Sequence, residues 1–143
     1  HNQIWLNKHR FRREGIVARP TAKELTEREL EVMHVFWNHG AGTAQQTRDK
    51  LAESGLDRAY VTVANLIRLL VEKEFLEAAN SERPFVYRAI RTFEDVSGSL
   101  IGDLVQRVFS GSRELLLVQI LGGRKKLTQQ ERSLLEQILK EQD

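Results

Sequence analysis

Residues 58–74 read RAYVTVANLIRLLVEKE, and the fold turns on them. Val63, Leu66, Ile67, Leu70 and Val71 stand at i, i+3, i+4, i+7 and i+8, the spacing of one apolar stripe on an α-helix. The opposite face carries Arg58, Val61, Thr62, Asn65, Arg68 and Glu72. A solvated helix face is ordinarily crowded with Lys and Glu, whereas this one holds no acid before Glu72. Its hydroxyl, amide and two guanidiniums are groups that bond base edges and phosphates. That is the pattern of a helix that reads DNA. An ordinary amphipathic helix also fits, so the flanking segments decide.

Upstream, two helices are expected. Thr26 and Glu29 form a T-x-x-E capping box, with Leu25 and Leu30 placed for a hydrophobic staple. Leu30, Met33, Phe36 and Trp37 then make a core stripe that ends at His39-Gly40. Thr43 and Gln46 form a second box, and the helix they open runs through Leu51 to Gly55. A short Gly-containing connection then leads into residues 58–74. Two helices joined in this way, the second bearing the polar face, make a helix-turn-helix. Downstream the period changes from 3.6 to 2. Residues 75–79 and 85–90 are β-prone runs around a polar turn, which predicts a hairpin, the wing of a winged helix. Arg83 sits at its tip, with Arg88 and Arg91 beyond, all placed to meet phosphates flanking a groove.

From residue 92 the chain reads as helical again. Thr92 caps a helix with Asp95 at its third position, and Gly98 and Gly102 inside it suggest close approach of another helix. A short apolar helix follows over 115–121, and a third capping box, Thr128 and Glu131, opens the last. Roughly fifty residues have difficulty burying so many leucines alone; a two-fold dimer would cover them, the alternative being that the helices fold back on the first domain. The expected dimer surface is Leu100, Leu104, Val108, Leu116, Leu117, Ile120, Leu134, Leu135 and Ile138. The predicted architecture is therefore mostly α. A winged helix-turn-helix of three helices plus a β-hairpin wing spans 25–91, and a three-helix dimerisation domain spans 92–143. Residues 1–24 lack a clear period. They read as a basic N-terminal extension, either an arm that touches DNA phosphates or a tail that is disordered or a remnant of expression.

The bulk properties agree with a soluble, cytoplasmic protein. The 143 residues are 41% hydrophobic and 29% charged, with no cysteine, which excludes a disulfide framework, thiolate metal sites and thiol catalysis. No apolar run is long enough to span a bilayer. His34 and His39 lie five apart, a poor metal spacing. Nothing nominates a metal or another cofactor. No phosphate loop, H-E-x-x-H or G-x-S-x-G is present, so no enzyme is expected. Residues 1–20 hold five Lys/Arg against one Glu, whereas residues 21–91 hold ten against eleven acids. Contact with nucleic acid must then rest on local clustering rather than on net charge.

The stretches LTERELEVMHVFW (25–37), GTAQQTRDKL (42–51), AYVTVANLIRLLVEKEFL (59–76) and RPFVYRAI (83–90) together resemble the penicillinase-repressor (BlaI/MecI) family of bacterial winged-helix transcriptional regulators. The three-helix tail is similar to that family's dimerisation domain. The resemblance implies a homodimeric repressor on a palindromic operator. It places the family's base contacts on Thr62 and Asn65, with Tyr60 and Val61 alongside. Arg58, Arg68 and Arg83 are expected to hold the DNA backbone. Positions 61 and 64 are basic in some members but are Val61 and Ala64 here, so the operator should differ. In antibiotic-responsive members a membrane-bound sensor metalloprotease leads, directly or indirectly, to cleavage of an Asn–Phe bond, and the matching bond here is Gln119–Ile120. The copper-responsive branch carries a Cys-rich motif that this chain lacks. Two other readings of the winged helix stay open at this point, a protein-interaction module and an effector-sensing regulator without a protease partner.

Overall fold

The computed structural model describes residues 25–123 and 126–143. The expected N-terminal extension, residues 1–24, lies outside the described residues. The first helix, α1, spans Glu27–His39 and opens on the expected capping box. The Thr26 N–H donates to Glu29 Oε1 at 2.7 Å, and the Glu29 N–H donates to Thr26 Oγ1 at 3.1 Å. A two-residue strand, β1 (Gly42–Thr43), leads into α2 (Ala44–Glu53). Thr43 serves twice: it pairs in the sheet, and it closes the second capping box with Gln46.

The turn between α2 and the next helix is a Schellman motif. The Gly55 N–H reaches Ala52 O at 3.0 Å and the Leu56 N–H reaches Leu51 O at 2.9 Å. Gly55 takes φ +91°, a conformation that favours glycine. Helix α3 (Tyr60–Glu72) follows. Val63, Ile67 and Leu70 are its buried residues, whereas Leu66 is half-buried and Val71 is exposed. The expected stripe is thus narrower than its spacing suggested. Eight residues turn a straight helix through about 80° beyond two full turns, which carries Val71 off the core. A second Schellman motif ends α3, with Phe75 N–H to Leu70 O at 2.9 Å and Glu74 at φ +63°.

Strands β2 (Leu76–Ala78) and β3 (Val86–Ala89) form the expected hairpin, with Leu76 opposite Ala89 and Ala78 opposite Tyr87. Asn80 braces its loop: its amide donates to the carbonyls of Glu82 and Pro84, and its Oδ1 accepts the Val86 N–H. β1 adds to the other edge of β3, giving the order β1-β3-β2. This third strand was not anticipated, because two residues cannot display an alternating pattern. The core is closed by Val32, Met33, Phe36, Leu51, Phe75 and Leu76 around the α3 stripe. The Trp37 indole donates to Arg91 O at 2.9 Å, tying the end of α1 to the exit of the sheet.

Helix α4 (Phe93–Arg107) begins with Thr92 Oγ1 accepting the Asp95 N–H, as expected. The chain divides into two compact units within it, between Leu100 and Ile101. Val96 is buried in the core of the first unit, and Leu100, expected on the dimer surface, packs partly buried against that core. Among the described residues nothing outside the helix's own backbone lies within 4 Å of where a Cβ would stand on Gly98 or Gly102, so the close approach these glycines suggested is not made there by a described helix. The second unit comprises the rest of α4, α5 (Arg113–Leu121) and α6 (Gln129–Gln142). The Ser112 hydroxyl caps α5 by accepting the Leu115 N–H, and Thr128 with Glu131 caps α6 as expected. Among the described residues of this unit only Val105 is buried. No helix among the described residues is long and apolar enough to cross a membrane.

A Cβ on Gly55 would meet nothing within 4 Å, so its requirement is conformational alone. Gly55→Ala is expected to destabilise the protein by about 1 kcal/mol. A urea midpoint that is unchanged or raised would contradict the role given to this turn.

Candidate nucleic-acid interface

Helix α3 is rolled by its own burial. With Val63, Ile67 and Leu70 inside, the side chains on the far side of the helix face solvent. Val61 is 67% exposed and Tyr60 49%, and Thr62, Asn65 and Arg68 are exposed with them. Tyr60, Thr62 and Asn65 make no side-chain hydrogen bond among the described residues. Ala59 caps the helix without a side-chain bond, so no side chain covers the first-turn N–H groups. The surface combines an amide, a hydroxyl and a phenol with the methyls of Val61, a set able to bond base edges in a major groove.

The expected backbone-holding arginines fall into different settings. Arg58 is already engaged. Its Nε and Nη2 donate to Glu31 Oε1 at 3.3 and 3.2 Å, and Nη2 also reaches Glu31 Oε2 at 3.1 Å. Both side chains are only 20% exposed. Arg68 pairs with Glu72 at 2.8 Å, but both are well exposed, and such a pair is worth only about 0.3–0.5 kcal/mol. Its guanidinium can exchange that partner for a phosphate at little cost. Arg83 stands exposed on the wing loop, 5.8 Å from the centre of the Phe85 ring. Arg88 pairs across the hairpin with Glu77 at 2.7 Å. Arg91 departs from expectation: its guanidinium stacks 4.2 Å above the Phe75 ring in the core, so it is not displayed toward DNA.

Two acids of α1 meet the residues that flank α3. Glu31 holds Arg58, which precedes the cap Ala59, and Glu29 receives the ammonium of Lys73, the C-terminal cap, at 3.0 Å. Neither ion pair was anticipated. The partners stand 27 and 44 residues apart, and no local spacing records them.

The sequence profile of the penicillinase repressor family matches residues 25–141 of this chain. The chain belongs to the penicillinase repressor family. No individual curated protein gives a significant match. The winged helix observed here is the fold expected of these DNA-binding transcriptional regulators, and the family match extends through α6. In this penicillinase repressor both ends of α3 are tied to α1, through Arg58 to Glu31 and through Lys73 to Glu29.

Glu29 is 1% exposed. Burial alone raises its pKa, but the Thr26 N–H, the Lys73 ammonium and the Thr26 hydroxyl outweigh burial and hold it below the usual carboxylate value. A lowered folded pKa contributes stability that is full above the unfolded value of about 4.3 and is lost as pH falls through the folded one. Glu29→Gln keeps an acceptor for the Thr26 N–H, as Gln46 does for Thr43, and removes only the charge. It should cost about 1–3 kcal/mol at pH 7. In paired denaturant melts the deficit should shrink steadily from pH 5 to about pH 3. A deficit that stays constant over that range would show that the charge is not what stabilises.

Proposed function

We propose that the chain is a homodimeric repressor that reads a palindromic operator, with α3 in the major groove and the wing on the flanking backbone. The observation that carries this reading is the outward face of α3, where Thr62 and Asn65 have no intramolecular side-chain partner among the described residues and Val61 stands free beside them. Asn65 suits the paired donor and acceptor of adenine, and Val61 suits the 5-methyl of thymine. Guanine is most often read by Arg or Lys. The face has no Lys, Arg58 is held by Glu31, and Arg68 is assigned to a phosphate. The half-site should therefore be weighted toward A·T pairs under α3. Arg68 and the wing's Arg83 would meet phosphates. Bound across a promoter, two such units exclude RNA polymerase sterically.

The second unit supports the dimer. Ile101, Leu104, Val108, Leu117, Ile120, Leu134 and Ile138 are exposed, and Leu116 and Leu135 are only half-buried. An apolar surface on that scale marks a protein interface, and self-association is the commonest way to cover it. Release would follow from proteolysis at Gln119–Ile120, with a membrane-bound sensor metalloprotease acting directly or indirectly. This bond lies in the last turn of α5, just before Gly122 and Gly123, where a helix unwinds most easily for a protease.

Sequences selected by the wild-type protein from a random duplex library provide the operator probe. Asn65→Ala should lose about 1–3 kcal/mol on the selected duplex and accept more sequences. Replacing the half-site thymines by uracil should weaken the wild type and leave Val61→Ala unaffected. If all three proteins bind selected and scrambled duplexes alike, α3 is not the reader. The double variant Leu104→Asp/Val108→Asp should sediment as a monomer and lose roughly a hundredfold in operator affinity, since avidity supplies about that much. Retention of the dimer would move the interface elsewhere.

A further inference from the structure

We infer that Arg58 is a positioning residue for the reading face, acting through Glu31, and not a phosphate contact. The inference rests on the DNA-reading proposal above. Arg58 directly precedes the cap of α3, so holding its guanidinium holds the first turn, which carries Tyr60, Val61 and Thr62. The fork on Glu31 uses three donor contacts between 3.1 and 3.3 Å and is half-buried on both sides. Its neighbour in the turn is tied as well, the Leu56 N–H to Leu51 O at 2.9 Å. At the other end of α3, Lys73 is held by Glu29. Residues two apart on a helix project about 200° apart, so Glu29 and Glu31 leave α1 on opposite sides and reach opposite ends of α3. The pairs together fix both the position of α3 along its axis and its roll. If Arg58 left this fork for a phosphate, the Glu31 carboxylate would be stranded beside the DNA backbone, so Arg58 stays where it is.

The test separates position from charge. Glu31→Gln removes an acid near the interface, and a purely electrostatic role for Arg58 then predicts equal or tighter DNA binding. Positioning predicts the reverse. Arg58→Lys keeps the charge but not the planar fork. Binding is measured against a duplex selected by the wild type and a scrambled duplex, across a salt series, with folding checked by thermal melts. Glu31→Gln and Arg58→Lys should each lose roughly tenfold on the selected duplex and little on the scrambled one. The swap Glu31→Arg/Arg58→Glu should return to within about threefold of wild type. Their salt slopes should match the wild type, whereas Arg83→Ala, the phosphate-contact comparator, should lower the slope by about one. Full affinity in Glu31→Gln, or in Arg58→Lys with a slope loss in Arg58→Ala, overturns the assignment. A wild type that selects no sequence overturns the DNA reading itself and this inference with it.

Discussion

Glu29 is almost wholly buried yet carries a charge, and two helices depend on it. Its Oε1 accepts the Thr26 N–H at 2.7 Å, which starts α1, and the Lys73 ammonium at 3.0 Å, which ends α3. A buried carboxylate is costly to desolvate, and only these donors make the burial tolerable. The capping box is therefore more than a local start signal. It brings the first residues of the domain to the far end of α3. Glu31, one step along the same helix, does the matching service at the near end of α3 through Arg58. The apolar stripe Val63–Ile67–Leu70 fixes which face turns inward, but apolar contacts alone allow a helix to slide and roll by small amounts. Directional charge pairs at both ends remove that freedom.

This arrangement explains how a domain without excess positive charge can serve on DNA. Residues 21–91 hold ten basic and eleven acidic residues. Several of the acids are turned onto partners within the fold: Glu29 on Lys73, Glu31 on Arg58, Asp57 on Arg48 and Glu77 on Arg88. At physiological ionic strength a charge is felt over about 8 Å, so only the groups close to the contacting surface count. On α3 that surface carries one acid, Glu72, which is paired with Arg68. On the proposed reading, affinity comes from the wing and helix surfaces locally and discrimination from neutral side chains, which suits the Asn, Thr and Val found there.

The legible part of the sequence was the local part. Three capping boxes, each a contact between residues three apart, stand where their motifs predicted them, and the period change at residue 75 marked the wing. The hairpin and the order of the helices followed from those signals. What escaped reading is what the folded chain alone brings together. The Trp37 to Arg91 bond joins residues 54 apart, and the two helix-end ion pairs join residues 27 and 44 apart. Arg58 and Arg91 looked like displayed cations because a basic residue beside a reading helix carries no mark of its partner. Glu31 and the Phe75 ring supply those partners only after folding. Val71 was misplaced for a geometric reason, the slow drift of a strict stripe around a straight helix.

The second unit poses the complementary problem. Its helices are well capped, with Ser112 at α5 and Thr128 with Glu131 at α6, yet they leave leucines and isoleucines open to solvent. Local signals therefore suffice to make these helices but not to bury them. Such a unit gains most of its stability from whatever covers it, and a second copy supplies a matching surface by symmetry. On the proposed reading Ile120 belongs both to that surface and to the scissile bond. A cut there would remove the last turn of α5 from the interface and separate α6 from the rest of the unit. The winged-helix core, closed by Val96 and Leu100 upstream of the cut, would be left intact. Repression would then end through loss of avidity while each reading helix keeps its shape, because one half-site binds far more weakly than two joined ones.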